Sequence, residues 1–132
     1  MDEDRRQATR VPVGFYLSQL VDDEPHRCFT TNLSASGLYM EKVLTPMDRR
    51  RDVVQLEIPL PGLGDPLWTK AEVVYDCFDA LFHGTAIRFT AMARKHRRLL
   101  REWVHSQMAS VTPGEVVYAG GVSIFRPPPI RR

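Results

Sequence analysis

Three of the first ten residues are arginines: Arg5, Arg6 and Arg10, within Arg5-Arg6-Gln7-Ala8-Thr9-Arg10. The guanidinium is a planar fork of N–H donors that matches a phosphate or the O6/N7 edge of a guanine; a lysine would offer a point charge only. The bias runs through the chain, where 15 of the 18 cations are arginine and the lysines are Lys42, Lys70 and Lys95. A GC-rich coding sequence would also produce it, so composition alone proves no ligand. Further on stands a small polar stretch, Asn32-Leu33-Ser34-Ala35-Ser36-Gly37, with the pattern Asn-x-Ser-x-x-Gly. Each motif alone is weak. Arg-x-x-x-Arg recurs at Arg94–Arg98 and Arg97–Arg101, and serines with glycine suit any turn. A charged N-terminal arm is, by itself, most simply a solvated one. Their joint placement carries the information: an arginine arm opens a β segment, and the polar motif follows at a strand junction.

The elements that must hold these residues are legible from periodicity. Residues 1–10 are nearly all polar and have no period. Val11, Val13, Phe15 and Leu17 then alternate, the signature of a half-buried strand. Asp22-Asp23-Glu24-Pro25 is a turn signal, and Cys28, Thr30 and the stretch to Leu33 predict a partner strand. Leu38-Tyr39-Met40 starts another strand. Further strands are expected over Val53–Leu60, Leu67–Tyr75 and Phe82–Phe89. Strands at this spacing, divided by turn signals, predict a small antiparallel barrel or sandwich. The period then changes. Met92, His96, Leu99, Leu100, Trp103 and Val104 recur at three and four residues, one face of a helix with Thr90 as its expected N-cap. Arg94, Lys95, Arg97, Arg98 and Arg101 take the other positions; a solvated face is the plain reading of them. Thr112-Pro113-Gly114 ends the helix. Val116–Tyr118 and Val122–Phe125 suggest a short hairpin around Gly120-Gly121, and the segment with Pro127-Pro128-Pro129 has no core-forming pattern. The division is therefore an arm over 1–10, a body over 11–110 and a Pro-rich tail over 111–132.

Composition excludes several classes. At 132 residues, 43% hydrophobic and 26% charged, the chain is an ordinary single domain with enough length to bury a core. Its net charge of +2 is not that of a histone-like binder. The charge is unevenly spread: residues 1–82 hold 9 cations and 14 acids, and residues 83–132 hold 9 cations and 2 acids. No apolar run reaches the roughly 18 residues of a membrane span, and residues 1–10 lack a secretory signal's apolar stretch. Cys28 and Cys77 match no zinc or redox spacing and read as buried free thiols of a reducing cytosol. His26, His83, His96 and His105 show no metal spacing, and no Ser-His-Asp or Cys-His set is evident.

Taken together, the arm and the Asn-x-Ser-x-x-Gly motif resemble the PilZ domain, a bacterial receptor family for cyclic di-GMP. The resemblance covers residues 5–105. It includes Gly37-Leu38-Tyr39-Met40, Ala71-Glu72-Val73-Val74-Tyr75 and Gly84-Thr85-Ala86-Ile87-Arg88-Phe89, and it admits Asn in place of Asp at position 32. It implies a mainly β fold, a six-stranded antiparallel barrel with a C-terminal α-helix. It also implies a ligand site of Arg5, Arg6, Arg10, Asn32, Ser34 and Gly37. Arg6 and Arg10 would meet phosphates and guanines, Asn32 a guanine edge, and Ser34 a base edge, a phosphate or its own loop. Gly37 would let the backbone turn and approach the ligand. Arg5, a third guanidinium, would favour an intercalated dimer of the ligand with its four phosphates. The implied protein is not an enzyme and needs no metal or other cofactor. It would be a cytoplasmic receptor whose ligand orders the arm and changes contact with a downstream protein in motility, biofilm or surface behaviour. Two other readings stay open: a ligand-blind adaptor of the same fold, and a nucleic-acid module using the basic helix and the Arg49-Arg50-Arg51 loop. A mixed guanine–adenine cyclic dinucleotide also satisfies the residue types.

Overall fold

A computed structural model describes residues 10–43, 52–78, 81–110, 115–118 and 123–125. Among these residues, eight strands and one helix follow in chain order: β1 (Val11–Val21), β2 (Glu24–Leu33), β3 (Gly37–Val43), β4 (Val53–Ile58), β5 (Leu67–Phe78), β6 (Phe82–Met92), α1 (Arg94–Ser110), β7 (Glu115–Tyr118) and β8 (Ser123–Phe125). The strand order β2-β3-β6-β5-β4-β1, with β1 returning to β2, closes a six-stranded antiparallel barrel. The alternation read from the sequence is what closes it. Val11, Val13, Phe15 and Leu17 turn one face of β1 inward, and Leu56, Ile58, Leu67, Ala71 and Ile87 meet them from the other strands. Each large aliphatic side chain so buried contributes about 1.5–3 kcal/mol.

β1 is the hub. On one edge it pairs with β2 along nearly its whole length, from Val11↔Leu33 to Val21↔Glu24. Asp22 and Asp23, at φ 53° and 68°, make the two-residue turn between them. The other edge is shared: β4 takes Ser18–Leu20, while β7 takes Val13 and Gly14 in parallel. Val117 of β7 is buried in the barrel core, and β7 pairs onward with β8.

Two expectations need correction. Thr90 does not cap the helix. β6 continues through Met92, Thr90 lies inside it, and the carbonyl of Ala93 accepts from Arg97 N–H at 2.9 Å. The apolar alternation of β6 simply outlasts the point where a helical period can first be read. The two cysteines are also not alike: Cys28 is buried, but Cys77 is exposed. A register irregularity between Val73 and Tyr75 takes the end of β5 out of the inward alternation, and the pairing with β4 stops at Glu72.

α1 lies against the barrel through Leu100, Trp103 and Val104, all buried. Its start is tied to β5, since Trp68 N–H donates to His96 Nδ1 at 3.2 Å. Its middle is tied to the β4–β5 loop, since Trp103 Nε1 donates to Pro61 O at 2.8 Å. No helix among the described residues is long and apolar enough to cross a membrane.

Candidate functional site

The Asn-x-Ser-x-x-Gly motif spans the end of β2 and the start of β3, and an irregularity in pairing decides which way its residues face. Cys28 and Thr30 are buried, so strict alternation would turn Asn32 inward too. A register shift between Thr30 and Asn32 against β3, matched by one between Pro12 and Phe15 against β2, breaks that alternation. Thr31 is the extra, exposed residue, Leu33 becomes the buried one and Asn32 is left half-exposed. A bulge re-aims a side chain in this way. Thr30 stabilises it from inside: its hydroxyl lies 2.7 Å from the carbonyl of Tyr39 and 3.0 Å from that of Asn32.

Ser34 closes the loop. Fully buried, its Oγ accepts from the N–H groups of Ser36 and Gly37, both at 3.1 Å, and lies 3.2 Å from Gly37 O and from Ser36 Oγ. Its own N–H donates to Gly37 O at 2.8 Å. The Ser34 hydroxyl is thus engaged within the loop. Gly37 is required by close approach and not by φ: a Cβ there would stand 2.1 Å from Ile87 O in β6. Phe89 N–H donates to Ser36 O at 2.8 Å, so β6 holds the loop at two points.

Arg10 precedes β1, opposite this loop, and its Nη1 donates to Asn32 Oδ1 at 2.7 Å. The two motifs, 22 residues apart in sequence, meet in one hydrogen bond. The chemistry that follows is one-sided. Asn32 uses its carbonyl oxygen on Arg10, so among the described residues its two amide N–H donors and four of the five guanidinium N–H groups stay uncommitted. The pair is a bank of donors carrying one positive charge, suited to phosphate oxygens or the acceptor edge of a purine. Arg5 and Arg6 lie outside the described residues.

Two further residues of the strand motifs stand beside this loop. Tyr39 pairs with Asn32 on one side and Ala86 on the other. Its ring lies across Gly84, where a Cβ would stand 1.9 Å from the hydroxyl. Arg88 pairs across from Gly37, is exposed, and makes an ion pair with Glu72 of β5. Nothing in the sequence ranked either above other polar strand residues; their place beside Asn32 and Gly37 comes from register.

A family profile described as PilZ domain matches residues 4–106. The chain belongs to the PilZ domain family. Solved PilZ-like structures share this barrel. The structure of the Bacillus subtilis inhibitor of motility MotI/DgrA superposes with a TM-score of 0.64 at 20% identity, over 80% of this chain and 51% of that one. The present chain therefore spans about half the length of that protein. The PilZ domain of YcgR from Escherichia coli, solved with c-di-GMP, superposes with a TM-score of 0.59 at 17% identity, over 80% of this chain and 92% of that one. No curated protein sequence matches. The PilZ match ends at residue 106, so β7 and β8 lie beyond it even though Val117 enters the barrel core.

Proposed function

We propose that this PilZ protein is a receptor for cyclic di-GMP and not an enzyme. The observation that carries the reading is the hydrogen bond from Arg10 to Asn32, which joins the arginine arm to the polar loop in one donor-rich patch. Cyclic di-GMP offers two phosphates and two guanines, all acceptors on the edges that arginine and asparagine recognise. Arg6 and Arg10 grip phosphate and guanine, Asn32 reads a guanine edge, and Ser34 and Gly37 shape the loop that presents them. The c-di-GMP bound to the YcgR PilZ domain supports the choice of ligand. Arg5 favours an intercalated dimer of the ligand by adding a third guanidinium. Residues before Arg10 become ordered around the ligand, and that ordering alters contact with a downstream protein in motility or surface behaviour of a bacterial cytoplasm.

Calorimetric titration with a panel of cyclic dinucleotides tests this. The wild type is expected to bind cyclic di-GMP at sub- to low-micromolar affinity, on the order of −8 kcal/mol. Arg6→Ala and Arg10→Ala are each expected to weaken binding by a factor of about a hundred or more. Full affinity in either variant, or preference for a dinucleotide without guanine, would overturn the reading. A stoichiometry of one ligand per chain that Arg5→Ala leaves unchanged would remove the dimeric ligand. Equal amide exchange in residues 2–10 with and without ligand would remove the ordering of the arm.

A further inference from the structure

The outer face of α1 presents residues that the receptor reading does not use. Arg94, Arg98, Arg101, His105 and Met108 are all exposed, and their spacing is 4-3-4-3. That spacing, averaging 3.5 residues, lines the five up as one seam along the helix, in the register at which a second helix can lie alongside. It runs for about 21 Å at the helical rise. The opposite face is occupied by Leu100, Trp103 and Val104 against the barrel, so the seam points away from the protein.

Three observations set this row apart from a merely solvated one. First, it opposes the helix that bears it. Arg94, Lys95 and Arg97 crowd the positive end of the dipole with no acidic residue in the first turn, an unfavourable placement for cations, and Arg98 follows directly. Second, among the described residues none of these side chains makes an ion pair or a hydrogen bond, whereas every described arginine of the barrel has a partner. Arg10 bonds Asn32, Arg27 stacks 4.7 Å from the centre of the Tyr16 ring, and Arg88 pairs with Glu72. Third, the row ends in Met108, 41% exposed, an adaptable apolar contact.

We infer that this seam docks an acidic helix of a partner protein, with carboxylates opposite Arg94, Arg98 and Arg101 and an apolar residue opposite Met108. The proposal rests on the receptor reading in one respect: it gives a chemistry to the downstream protein. A protein helix fits better than the other polyanions. A membrane surface is read by an amphipathic helix through its apolar face, and that face is already buried against the barrel. A nucleic acid offers phosphates along its whole length, whereas the arginines of the seam end at Arg101, Glu102 stands exposed on the same helix, and Met108 would have no phosphate to meet. A short acidic helix ends where the seam ends and uses Met108.

The test is fluorescence anisotropy on the full chain with two labelled helical peptides. One carries Glu at each seam position and Leu at the end facing Met108; its twin carries Lys in place of Glu. The wild type is expected to bind the Glu peptide and not the Lys peptide. Arg94→Glu, Arg98→Glu and Arg101→Glu together are expected to weaken the Glu peptide by roughly tenfold or more and to create binding of the Lys peptide. Met108→Ala should weaken the Glu peptide a few-fold. Unchanged Glu-peptide affinity in the triple variant overturns the proposal. Tighter wild-type binding to a short DNA duplex, or to vesicles rich in phosphatidylserine, overturns it in favour of that surface. Each variant is also titrated with cyclic di-GMP. Retained dinucleotide affinity shows that the barrel is folded and assigns a failed charge swap to the seam alone. A wild type that passes the charge swap but binds no dinucleotide overturns the receptor reading and leaves the seam standing.

Discussion

Arg10 and the arginines of α1 are the same residue type put to opposite arrangements. Arg10 leaves the barrel beside a strand end and is held by the amide of Asn32, which is itself aimed by a bulge and backed by a closed serine loop. Among the described residues, Arg94, Arg98 and Arg101 have no such holder; the periodicity of the helix spaces them, and they are exposed. In the proposed receptor, the first arrangement fixes one guanidinium for a small ligand whose atoms must be met in place. The second spreads charge along a line that a long, tolerant surface can meet. Local support, not charge, distinguishes a recognition site from an association surface.

Loss of Arg10 disrupts the first arrangement and spares the second. Arg10→Ala removes the guanidinium and should lower affinity for cyclic di-GMP by a factor of about a hundred or more, each charge-assisted bond being worth about 1.5–3 kcal/mol. The Glu-peptide affinity of α1 should not change in the same protein. Calorimetry and anisotropy on one preparation check both halves.

Next comes the support beneath Asn32. Gly37→Ala drives a Cβ to 2.1 Å from a backbone carbonyl, which cannot swing aside. Denaturant unfolding should show a loss of about 1–3 kcal/mol or more. Gly84→Ala makes a contact just as close, but with the side chain of Tyr39 and not with backbone. Its stability loss should be clearly the smaller, and an equal loss would show that Tyr39 is pinned. Ser34→Ala leaves the N–H groups of Ser36 and Gly37 without their acceptor and should cost about 1–3 kcal/mol.

The smallest effect belongs to the helix and has the opposite sign. Arg94→Glu exchanges a cation for an anion at the positive end of α1. It should stabilise the protein by about 0.3–1 kcal/mol in low salt while weakening the Glu peptide. A variant that loses stability would show that Arg94 has an intramolecular role.

Much of the barrel was legible in the sequence because each strand keeps one apolar face: Val11, Val13, Phe15 and Leu17 alternate, and the core uses all four. The helix face was legible for the same reason, with Leu100, Trp103 and Val104 buried as their spacing required. The candidate site was legible as two motifs, but its geometry was not. Alternation alone would bury Asn32, and a bulge is a property of register between strands distant in sequence. The need for glycine at position 37 arises from Ile87, fifty residues on, and no local pattern records it. β7 adds to β1 in parallel through two residue pairs, too few to leave a periodic signal.

In the proposed receptor, Arg10 and Asn32 act as one unit. A double-mutant cycle by calorimetry separates one shared site from two independent contacts, with Arg10→Ala, Asn32→Ala and both together titrated with cyclic di-GMP. The expected result is strong coupling: either substitution alone loses nearly as much affinity as the pair. Losses that simply add would contradict it, since they would mean that the hydrogen bond between the two motifs does not build the site.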